Sequence, residues 1–376
     1  MTNNKPGAHK SRLFAGSMMS SILFAGNAMA AASSQNDNAL LADRKIAYAL
    51  TTSHWSVYQT ENGSAECANG YNEGPREQFK ALYPNGGTVE ETQLAFEGDV
   101  RYPLTREDNF PYREVTGSIG IGLDLDSKVE ARDFTSPDGQ KGIDNELYRA
   151  IGCTRLFRLP DGTFAHFANQ WINEYGYNRI VIELTDVDSL ADDDAVNVTI
   201  YRGRDRLITD ASGNNFLPGG SNRLDERFSA KFIQTLKGKI VAGRLTTEPA
   251  DVSWPWSAFY TRPYAYDLKR MQLSLTVDPE RAEGIIGSFA DVDSWYRSVS
   301  RSWSTHHSSY GGLSQASLYR TLRRLADGIP DSNGVNTAIS SAMSVKFVQV
   351  FLTRGEPSTP TREDRVASNR QTLAND

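Results

Sequence analysis

Met271, Leu273, Leu275 and Val277 alternate with Gln272, Ser274 and Thr276. Side chains of an extended strand point to opposite faces with a period of two, so this stretch predicts a strand with one apolar face. The same alternation recurs at Val196, Val198 and Ile200, and NRIVIELTDV around Ile180, Ile182 and Leu184 is apolar enough to be covered on both faces. Lys231–Leu236 and Lys239–Leu245 flank Gly238 and predict a hairpin, Glu283–Phe289 predicts a short strand, and Met343–Leu352 predicts a last one. Lys45–Tyr58 reads equally as helix or extended chain. Short strands separated by Gly, Pro and Asp predict a mainly β protein, a β-sandwich or jelly roll with a few peripheral helices.

Two of those helices are expected at Asp291–Arg301, with Trp295 and Val299 at helical spacing, and at Ser314–Ala326. In the second, Leu318, Leu322 and Leu325 share one side and Arg320, Arg323 and Arg324 the other, as an amphipathic helix requires. A short helix is also expected in GPREQFKALYP, ending at Pro84.

The N-terminus carries Lys5, Lys10 and Arg12, then an apolar run over 13–25, then Ala28-Met29-Ala30. A basic start, a short apolar core and an A-x-A site predict a secretory signal peptide over 1–30. Residues 31–44 read as a flexible tail, 45–353 as one β-rich domain and 354–376 as a disordered, Pro- and charge-rich tail. No later stretch is long and apolar enough for a membrane helix. The expected address is the periplasm or the exterior. The full chain has a formal charge of -6, and cleavage removes three basic residues and no acidic one, so the exported form is more acidic still. Such a balance gives no electrostatic reason to bind nucleic acid or an anionic membrane.

Export also bears on the two cysteines, Cys67 and Cys153. An even count in an oxidising compartment predicts a disulfide between them. No C-x-x-C spacing points to redox chemistry.

The densest run of oxygen ligands lies between Gly117 and Cys153. Ile119, Ile121, Leu123 and Leu125 alternate with Ser118, Gly120, Gly122, Asp124 and Asp126, which predicts a strand with both carboxylates on the face away from the core. Asp133, Asp138, Asp144 and Asn145 follow. Adjacent carboxylates repel unless a proton or cation intervenes, and calcium takes six to eight oxygens of this kind. These six residues form the candidate metal set. They do not fit an EF-hand, because a loop begun at Asp133 puts Gly139 one position late and Pro137 and Lys141 where ligands belong. The alternative is that the same residues cap turns, as Ser-Pro-Asp-Gly invites.

Trp254, Trp256 and Tyr260 lead an aromatic run that continues through Tyr264 and Tyr266. Flat rings with a polar handle stack on sugars, so the first three are candidate ligand-binding residues, and core packing is the alternative. An exposed concave placement would favour a glycan reader, and burial would favour a structural role. Among the remaining motifs, Asp186, Asp188 and 192–194 read as a solvated turn, and Asp327, Asp331, Asn333 and Asn336 as an Asx-rich turn, with a cation held by its side-chain and backbone oxygens as the alternative. No H-E-x-x-H or G-x-S-x-G occurs, and His306 and His307 beside Ser304 carry no recognisable catalytic spacing. No catalytic residue is assigned.

The segments HWSVYQTENGSAEC, GLDLD, DFTSPDGQKGIDNELYRAIGC and LADGIPDSNGVNTAIS, spread between Trp55 and Phe351, resemble a family of uncharacterised exported proteobacterial proteins. Relatives tend to carry Gly-Gly-Tyr where this chain has Gly287-Ser288-Phe289. The resemblance implies no activity. It implies that the acidic stretch and the Asx-rich turn belong to one structural plan. The expected function is therefore an exported, non-catalytic binding or structural protein, calcium-stabilised, whose partner is a glycan or another exported protein. The alternative is a carbohydrate-binding or carbohydrate-active protein of the concanavalin-like sandwich type.

Overall fold

The computed structural model describes residues 41–72, 112–160, 179–225, 230–256, 265–300 and 315–354, with a few isolated positions between them. In chain order the strands begin with β1 (Lys45–Trp55), β2 (Ala95–Phe96), β3 (Asp99–Val100), β4 (Ile180–Thr185) and β5 (Asp193–Arg202). They continue with β6 (Gly220–Arg223), β7 (Gln234–Val241), β8 (Arg244–Thr247), β9 (Ala250–Trp254) and β10 (Tyr266–Val277). The last are β11 (Arg281–Asp291), β12 (Gly328–Pro330) and β13 (Asn336–Thr353). Helices are α1 (Glu146–Ile151), α2 (Val292–Ser300) and α3 (Gln315–Leu325).

Strands β1, β4, β5, β7, β8, β10, β11 and β13 pair in that order, each antiparallel to the next, and β13 pairs back onto β1. The result is a closed eight-stranded antiparallel barrel. The expected sandwich or jelly roll is thereby corrected. A sandwich keeps two separate sheets, whereas here β1 pairs with β13 from Ala47 opposite Val350 to Trp55 opposite Met343, with one register shift between Leu50 and Thr52. Alternation along a strand is the same in both architectures, so only this pairing between the two ends of the domain distinguishes them. Eight strands leave an interior just wide enough for side chains to fill. Tyr48, Leu50, Ile182, Ile200, Leu275 and Phe347 fill it as one buried cluster. On β7, Leu236 and Ile240 point inward and Lys237 and Lys239 outward. No helix among the described residues is long and apolar enough to cross a membrane.

The segment left open between helix and strand, Lys45–Tyr58, is strand as far as Trp55. The hairpin expected at Gly238 turns elsewhere. Gly238 sits inside β7, where an added Cβ would lie 2.7 Å from the Thr246 carbonyl of β8. The chain reverses instead at Ala242 and Gly243, with φ of 49° and 74°, the left-handed pair that suits a two-residue hairpin. Both terminal helices form as expected. Asp291 caps α2 by accepting the Ser294 N–H at 2.8 Å, and Trp295, Val299, Leu318, Leu322 and Leu325 are buried. The expected signal peptide, the helix ending at Pro84 and the C-terminal tail lie outside the described residues.

Residues 117–151 form a strap on the outer face of the barrel rather than the core-facing strand expected at Ile119–Leu125. Before α1 its pairing consists of isolated bridges, Ile119 to Thr135, Leu123 to Asp144 and Phe134 to Ile143. Ile119, Ile121 and Leu123 are half-buried, while Gly120 is buried because a Cβ there would lie 2.7 Å from the Phe134 ring. The glycines, not the isoleucines, make the close contact, which is why alternation misleads. Leu125 packs on Phe289 of β11 and Ala338 of β13. At its far end the strap is pinned by the Cys67–Cys153 disulfide, which bridges a sequence separation of 86 with the Cα atoms 5.6 Å apart. Arg158, held by Glu66 at 2.5 Å, donates to the Gly152 carbonyl beside it.

Candidate metal centre

Asp124 and Asp126 stand on a tight turn of the strap. Asp124 Oδ1 accepts the Ser127 N–H at 2.6 Å, and Asp126 Oδ1 accepts the Lys128 N–H at 2.9 Å. Ser127 adopts φ 63°, and Gly142, at φ 77°, crosses so close that an added Cβ would lie 2.6 Å from the Lys128 carbonyl. That crossing delivers Asp144 to the turn. Its backbone bonds to Leu123, and its Oδ2 accepts the Leu125 N–H at 2.6 Å. One carboxylate oxygen each from Asp124, Asp126 and Asp144 lie within 4.8 Å of one another.

The barrel supplies the opposite wall. Asp126, Glu130, Asp133, Asp144, Asp327 and Ser340 line one pocket, with Phe289 at its apolar edge. Glu146 also lines it and is buried, but it is neutralised by Arg132 at 2.7 Å and Arg149 at 2.9 Å. Asp327, on the segment between α3 and β12, forms no salt bridge among the described residues.

This geometry shifts two acids. Burial, with further repulsion from Asp133, Asp126 and Asp327, pushes the Asp144 carboxyl up to about 7, against the pull of its bond from Leu125. Burial pushes Asp327 up to about 6, opposed by its bonds from Ser340 and aided by Glu146. Both acids resist ionisation chiefly because burial withholds the solvation that a charged carboxylate needs, a cost that a bound proton or cation relieves.

Of the six residues expected to bind metal, Asp124, Asp126 and Asp144 come together, and Asp133 and Asn145 line the pocket that Asp126 and Asp144 share. Asp133 is engaged at its Oδ2, which accepts the Glu130 N–H at 2.5 Å. Asp138 lies apart in the exposed Ser136–Gln140 turn, where the Ser136 hydroxyl holds its carboxyl below the usual range. Asn145 is used as a cap. Its Oδ1 accepts the Tyr148 N–H at 3.0 Å, and its Nδ2 donates to the Ser56 and Ile121 carbonyls. Ser340 carries no signal in the sequence. Asp327 belongs to the second acidic cluster with Asp331, but the two separate, because the Asp331 carboxylate accepts the N–H groups of Asn333 and Val335 in its own exposed turn.

Trp254 is fully buried and Trp256 is 8 % exposed, so neither offers a face to solvent. Trp254 lies opposite Tyr266 on the neighbouring strand, and Trp256 stacks on the same ring at 6.3 Å. Tyr260, Tyr264, His166, Ser304, His306 and His307 lie outside the described residues. The acidic turn before β5 caps itself, with Asp193 accepting the Asp188 N–H at 2.6 Å.

No protein-family model, no curated protein and no solved structure matches this chain.

Proposed function

We propose that this is an exported, non-catalytic binding or structural protein whose strap is stabilised by a divalent cation, calcium by donor chemistry. The observation that carries the reading is the meeting of Asp124, Asp126 and Asp144 within 4.8 Å on a turn shaped by a left-handed Ser127 and a close Gly142 crossing. Only oxygens converge there, the donor type that hard cations take, and neither sulfur nor imidazole is among them. Backbone carbonyls and water would complete the six to eight ligands that calcium takes. Lys128, 3.3 Å from Asp126, would swing away. Export is supported by the basic start, apolar run and Ala28-Met29-Ala30 at the N-terminus, and by the disulfide. The burial of Trp254 and Trp256 gives glycan stacking no support.

Isothermal titration of the chelator-treated mature protein with calcium chloride at pH 8 tests the proposal. Saturable binding at one site per chain, lost in Asp124→Ala and Asp144→Ala, is expected. Absence of binding heat at any temperature, with no change in intrinsic fluorescence, would leave the three aspartates as turn caps.

A further inference from the structure

We draw no further inference here: the strongest candidate, the acidic pocket in which Asp327 on the barrel wall faces Asp144 on the strap, belongs to the site already described.

Discussion

Ser340 holds Asp327 at both carboxylate oxygens, its backbone N–H donating to Oδ1 at 2.7 Å and its hydroxyl to Oδ2 at 2.6 Å. The same hydroxyl accepts the Glu146 N–H at 2.9 Å, so the strap helix, the barrel strand and a half-buried carboxyl meet at one oxygen. Asp327 is thereby aimed across the seam at the acids of the strap, and the charge balance of the pocket becomes part of what keeps strap and barrel together.

The seam should respond to pH in the absence of calcium. Asp144 and Asp327 bind their protons more tightly folded, at about 7 and about 6, than in the unfolded chain, where such a carboxyl titrates near about 3.9. Their contribution is complete below the unfolded pKa and is lost as pH rises through 6 to 7. In chelator the melting temperature should therefore be higher in variants that remove the charge at pH 8, with a smaller gain at pH 5. Asp144→Asn is the suitable variant, because its side-chain oxygen can still accept from Leu125. Melting curves at the two pH values would show it.

Calcium binding should expel a proton where Asp144 is half-protonated. Near pH 7, titrations in buffers of different ionisation enthalpy should give observed heats that differ in proportion to that enthalpy. At pH 9 the buffer dependence should vanish.

Asn145→Ala should be costly despite adding no strain. It removes the N-cap of α1 and two bonds to the Ser56 and Ile121 carbonyls at a 2 % exposed position. A loss of about 2–3 kcal/mol is expected from the cap and the buried carbonyls left unpaired. Urea denaturation would read it, and calcium affinity should fall with it, because the residue adjoins Asp144.

Loss of the disulfide should be larger. A closed loop of this length contributes about 4–5 kcal/mol through the entropy of the unfolded chain. The Cys67→Ser, Cys153→Ser double variant should show that loss by denaturant titration at fixed pH.

Much of the strand content is legible locally. Met271–Val277 and Val196–Ile200 announce themselves by alternation, and the leucines and arginines of α3 by helical spacing. Closure of the barrel is not legible, because the pairing of Ala47 with Val350 is a property of the whole chain and leaves no local mark on either strand. At the site, Asp124, Asp126 and Asp144 stand out by density and by the turn residues among them. Asp327 stands out only with its own Asx-rich turn, and its meeting with Asp144 is not legible, since its carboxylate is placed at the pocket by Ser340 of β13. Trp254 and Trp256 have the same composition whether they line a cleft or fill a core, and burial alone separates the two.

Thermal unfolding of the protein in excess calcium and in chelator, at pH 8, tests the cation-stabilised strap most directly. A ligand at a hundred times its Kd stabilises the native state by about 2.7 kcal/mol. The account predicts a clear rise in melting temperature with calcium that Asp144→Ala abolishes. Identical melting curves in calcium and chelator for the wild-type protein would contradict it.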